Sequence, residues 1–65
     1  MNNQFTYKLI KTTKFQEVTF DLYTSNEGYF VEASNGLESE YMISKKEALG
    51  YIANAKRIMK LETTN

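Results

Sequence analysis

Whatever chemistry this chain performs must proceed without imidazole or thiol, because the sequence contains no His and no Cys. The common neutral-pH base and the common nucleophile are thereby absent. Disulfides, thiolate zinc sites and imidazole ligands are absent with them. Carboxylates remain. Glu38 and Glu40, two residues apart, share a strand face, and Glu32 comes close across a hairpin. Such a trio could hold a hard cation or work as an acid–base pair. The same trio also describes a solvated strand edge that resists aggregation by charge, and that reading is preferred. Gly28, Gly36 and Gly50 are isolated, so there is no Gly-rich phosphate loop. The residues predict a non-enzymatic protein with neither cofactor nor metal.

Binding chemistry is better represented. The net charge is zero, yet the charges are segregated. Lys8, Lys11 and Lys14 lie in a stretch without acids. Glu17, Asp21, Glu27, Glu32, Glu38 and Glu40 follow in a stretch without bases. Lys45, Lys46, Lys56, Arg57 and Lys60 dominate the remainder. A neutral total therefore hides a dipolar molecule. Aromatic residues make up 14% of the chain, and several fall inside the acidic block.

Two sets of residues follow as candidate contacts. Asp21, Tyr23, Phe30, Glu32, Glu40 and Met42 are expected on one open sheet face, as an apolar centre with a charged rim and with Ile10 further along. That composition suits a protein partner bearing a basic patch, or a second copy of the chain. Lys45, Lys56, Arg57 and Lys60 fall on one side of a helix, where they could lie along phosphates or simply complement the helix dipole.

The element that must position these residues is the last third. Ser44-Lys45-Lys46-Glu47 is a capping box. Behind it Ala48, Ile52, Ala55 and Met59 share one helical face, which Tyr51 and Ile58 widen. The spacing predicts a helix over about 45–61. Everything before it alternates like strand, over about 4–12, 15–24, 29–34 and 38–43. With Thr13-Lys14 as a tight loop, Leu9 faces Val18, Tyr7 faces Phe20 and Phe5 faces Leu22. Across Ser25-Asn26-Glu27-Gly28, Leu22 faces Val31 and Phe20 faces Ala33. Asn35-Gly36 is the strongest hairpin signal. A loop one residue longer than the minimum, with Gly36 as a bulge, turns Tyr41 and Ile43 inward.

The expected fold is a single α+β domain over residues 1–65: a four-stranded antiparallel meander in the order β-β-β-β-α, with the C-terminal helix packed on one face. This order is similar in layout, without a shared motif, to the Whirly-type single-strand-binding folds, in which a four-stranded sheet precedes a dimerising helix. The resemblance implies bases stacking on sheet aromatics such as Tyr23 and Phe30. Asp21, Glu32 and Glu40 on the same face would repel phosphate.

Sixty-five residues bury a thin core, only roughly 60% of the unfolded surface. With no disulfide or metal to help, self-association as a homodimer is the expected supplement. Gly50 and Ala53 leave a low spot on the outer helix face where another helix could approach. No apolar run approaches the ~18 residues of a membrane span, and the polar start Met1-Asn2-Asn3-Gln4 does not resemble a signal peptide. A cytoplasmic location is expected. Abundant Asn, Lys, Ile, Tyr and Phe beside a single Arg hint at an AT-rich coding source, such as a low-GC bacterium or its mobile elements. The leading functional expectation is an inhibitor or adaptor, from a phage or other mobile element, that occupies a basic patch on a host protein. The alternative is a small single-strand nucleic-acid-binding protein using the helix bases and exposed aromatics. A pocket for a small molecule between subunits is a third possibility.

Overall fold

The hairpin with the strongest alternation sets the frame. In the computed structural model, which describes residues 6–62, β2 (Val18–Ser25) and β3 (Gly28–Ala33) pair antiparallel. Leu22 lies opposite Val31, Phe20 opposite Ala33 and Tyr23 opposite Phe30, the register that alternation predicts. Ser25 closes the turn, accepting from the Glu27 N–H at 3.1 Å and donating to the Gly28 carbonyl at 2.9 Å. Gly28 is required here twice over. Its φ of 127° is closed to most side chains, and a Cβ would meet the Met42 carbonyl oxygen at 2.6 Å.

The helix, α1 (Lys45–Glu62), closes the core side. Ser44 Oγ accepts from the Glu47 N–H at 3.1 Å, the forward arm of the expected cap. Ala48 and Ile52 are buried against Phe20, Leu22 and Val31. Tyr51, Ala55 and Met59 pack partly on this cluster, whereas Ile58 remains 46% exposed and does not widen the buried stripe as expected. Losing a side chain such as Ile52 from so small a core would cost about 2–5 kcal/mol. No helix among the described residues is long and apolar enough to cross a membrane.

β1 (Tyr7–Phe15) pairs with β2, giving a three-stranded sheet in the order β1-β2-β3. Its register differs from expectation. The loop is Gln16-Glu17, not Thr13-Lys14, so Phe15 faces Val18 and Thr13 faces Phe20. Gln16 has φ 56° and is the only non-glycine with positive φ among the described residues. A positive φ at the first central residue is the sign pattern of a tight II′ hairpin turn. Ile10 then forms a bulge: Lys11 faces Leu22, whereas Leu9 faces Tyr23 and Tyr7 faces Ser25. The extra residue reverses the phase of the strand. Tyr7 and Leu9, expected beneath the helix, lie on the opposite face. Of β1, only Phe15 packs against the core. The expected Phe5–Leu22 pairing lies outside the described residues.

The expected fourth strand over 38–43 is not formed as a ladder. Residues 37–42 run along β3 through two isolated bridges, Glu32 with Glu38 and Tyr29 with Met42. The three-residue loop Ser34-Asn35-Gly36 does form as expected, with Gly36 at φ 93° and the Ala33 N–H bonded to the Leu37 carbonyl at 2.8 Å. That loop alone would turn Tyr41 inward. A second slip at Glu40 separates the two bridges and reverses the phase again. Ser39 spans it, its N–H donating to the Val31 carbonyl at 2.9 Å and its Oγ accepting from the Val31 N–H at 2.6 Å. The hydroxyl oxygen thus takes the place of a ladder carbonyl. Met42, expected on the open face, packs on the core, while Tyr41 and Ile43, expected inward, are 50% and 86% exposed.

Candidate interaction face

The two phase reversals have one joint effect: they bring Tyr7 from one sheet edge and Tyr41 from the other onto the face that already carries Tyr23 and Phe30. Tyr23 and Phe30 stack, with ring centroids 4.9 Å apart and planes within 15°. Tyr7 meets Tyr23 edge-on at 5.3 Å and Phe30 at 6.0 Å. Tyr41 meets Phe30 edge-on at 5.4 Å. All four separations fall within the range where ring quadrupoles attract in these geometries. Tyr7 is 59% exposed, so this aromatic row is a surface feature and not a second core.

Beside the rings runs a row of acids. Asp21 lies directly opposite Glu32, and Glu32 opposite Glu38. Thr12 Oγ1 donates to Asp21 Oδ1 at 2.9 Å and extends the row onto β1. Like charges directly opposite one another destabilise a sheet. The Tyr23 hydroxyl registers this field. Its pKa is raised above the ordinary tyrosine value, first by desolvation and then by the Asp21 and Glu32 carboxylates and Tyr7.

Of the six residues expected at the interface, Asp21, Tyr23, Phe30 and Glu32 come together. Met42 does not, because the slip turns it to the core. Glu40 sits at the slip and lines an edge hollow with Glu38, Tyr41, Met42 and Tyr51, while Glu38 is the acid bridged to Glu32. Glu38, which the sequence groups with Glu32 and Glu40 but not with the contact set, joins the row; Tyr7 and Tyr41 are the members that alternation missed. Two local signals mark them: the adjacent apolar pair Leu9-Ile10, and the run Tyr41-Met42-Ile43. Each breaks the period of two where a bulge occurs. Among the described residues, no group of three acids could hold a metal ion.

The basic stripe of the helix is less uniform than the sequence implies. Lys56 Nζ lies 5.8 Å from the Phe15 ring centroid, a cation–π contact with the sheet. Arg57 donates to Asn54 Oδ1 at 2.8 Å along its own helix. Lys45 and Lys60 are exposed. The helix also borders an apolar groove of about 350 Å³, where Leu37, Ile58 and Met59 face Phe20.

No family model, curated protein or solved structure matches the chain.

Proposed function

We propose that this protein is a non-enzymatic interaction module that binds a protein partner with a basic surface through the open face of its sheet. The observation that carries this reading is the pair of parallel rows, rings Tyr7, Tyr23, Phe30 and Tyr41 beside acids Asp21, Glu32 and Glu38. An apolar strip with charge along one side matches the make-up of an interface core and its rim. The facing like charges cost the isolated fold stability, and a basic partner would relieve that cost. In this reading the protein is a cytoplasmic inhibitor or adaptor, acting by occupying its partner's surface. The apolar groove beside Leu37 and Ile58 is where a homodimer would form, leaving the sheet face open.

The test is a titration of isotope-labelled protein with a short peptide rich in lysine and arginine and, separately, with single-stranded DNA, both at low salt. The peptide is expected to shift resonances of Tyr7, Tyr23, Phe30 and Tyr41. Shifts at Lys45, Lys56, Arg57 and Lys60 with DNA, and none on the sheet with peptide, would overturn the proposal in favour of phosphate binding by the helix. Molar mass by sedimentation, followed on dilution, tests the dimer.

A further inference from the structure

The helix carries a second seam beside the buried one. Ala48, Ile52, Ala55 and Met59 are spaced i, i+4, i+7, i+11 and pack on the sheet. Tyr51, Ala55, Ile58 and Glu62 repeat that spacing roughly a quarter-turn round the axis, on the flank that borders the apolar groove. Ile58 lies near the middle of this flank and is 46% exposed. The residues on either side of it are complements of one another. Three positions before Ile58 stands the small Ala55, and three after it the large Leu61, 64% exposed. Four before it stands Asn54, and four after it Glu62, both exposed. Asn54 Oδ1 accepts from Arg57 Nη2 at 2.8 Å, which leaves the amide hydrogens of Asn54 to be donated outward beside a positive charge.

We infer that two copies of the chain pair through this flank, with their helices antiparallel and a two-fold axis at Ile58. The inference rests on the reading that the groove is where a homodimer forms, and it names the element, direction and register of that contact. A two-fold contact needs a surface complementary to itself, because if residue i meets residue j then j meets i. Antiparallel pairing about Ile58 sets each residue level with the one equally far on the other side. Leu61 of each copy then enters the groove at the level of the partner's Ala55, where a small side chain leaves room. Each Glu62 reaches the amide of the partner's Asn54, with the guanidinium of the partner's Arg57 behind it. Parallel pairing would set Glu62 against Glu62 and Arg57 against Arg57, and would align the two helix dipoles. The helix covers the core side of the sheet, so this contact leaves the face bearing Tyr23 and Phe30 open.

The chain has no cysteine, so single introduced thiols report the register. Helices packed about 8–10 Å apart bring facing backbones within disulfide reach. On mild oxidation Ile58→Cys is expected to give a linked dimer by itself. Asn54→Cys and Glu62→Cys should each stay unlinked alone and link when the two are mixed. Asn54→Asp should weaken the dimer about tenfold in sedimentation, since symmetry places the like-charge contact with Glu62 twice, and adding Glu62→Lys should restore it. Melts followed by circular dichroism check that each variant remains folded. A dimer by sedimentation in which Ile58→Cys does not link, or in which Asn54→Cys links alone, would overturn this pairing while leaving the dimer. A chain that stays monomeric at every concentration would remove the dimer and this pairing together, with binding of the basic peptide on the sheet face still to stand or fall by its own titration.

Discussion

Glu32→Lys separates what stabilises the fold from what the open face is built to do. Glu32 stands between two like charges, Asp21 on β2 and Glu38 on the segment after β3. A lysine at this position relieves two repulsions and creates two attractions. For exposed groups each is worth a few tenths of a kcal/mol, so the exchange should stabilise the fold by about 1 kcal/mol. In a domain of this size that raises the melting temperature by roughly 4–8 °C. Glu32→Gln, which relieves the repulsions without adding attractions, should give about half. Thermal melts followed by circular dichroism in 20 mM and 1 M salt provide the assay. The gain should nearly vanish at 1 M salt, where the screening length drops to about 3 Å. Binding of the basic peptide should be lost in the same variant. A lower melting temperature, or a gain that persists at high salt, would refute the claim that facing acids strain the sheet, and with it the main support for a basic partner.

Three other perturbations test separate parts of the structure. Ser39→Ala strips the acceptor from the fully buried Val31 N–H, which should cost about 1–3 kcal/mol in urea denaturation and speed exchange of the Val31 amide; an unchanged midpoint would show that the second slip is held otherwise. Gln16→Gly removes a side chain from the left-handed region and should stabilise by up to about 1 kcal/mol, because the steric relief exceeds the added chain entropy; a loss of stability would contradict the assigned turn. Tyr23→Phe tests the raised hydroxyl pKa. The fold favours the neutral phenol, so the contribution of Tyr23 is fully present below its ordinary value of 10.0 and is lost as pH rises through the raised one. The stability advantage of wild type over the variant should therefore fall above pH 10, and a flat difference would contradict it.

The parts of the molecule legible in the sequence are those with an uninterrupted period. β2 and β3 alternate cleanly through a turn rich in Ser, Asn and Gly, so their register and the Tyr23–Phe30 pair follow from phase alone. The helix declares itself by Ser44 and by the spacing of Ala48, Ile52, Ala55 and Met59. The outer segments are harder to read because a bulge adds one residue and reverses every side chain beyond it. Gln16 is not one of the residue types that normally accept a positive φ, so alternation places the tight loop at Thr13-Lys14 instead. The loop at Gly36 is legible from Asn35-Gly36, whereas the slip at Glu40 that cancels its effect is marked only by the apolar run Tyr41-Met42-Ile43, with no glycine or proline to place it. Hence alternation alone places half of the aromatic row, Tyr7 and Tyr41, in the core and Met42 at the surface.

The account depends on those two reversals of phase, and ring-to-ring nuclear Overhauser effects report on them directly. Cross-peaks should join the Phe30 ring to the rings of both Tyr7 and Tyr41, and the Met42 methyl should see the buried cluster around Val31 and Ile52. Cross-peaks from Tyr41 to Ile52 and from the Met42 methyl to the Phe30 ring would contradict it.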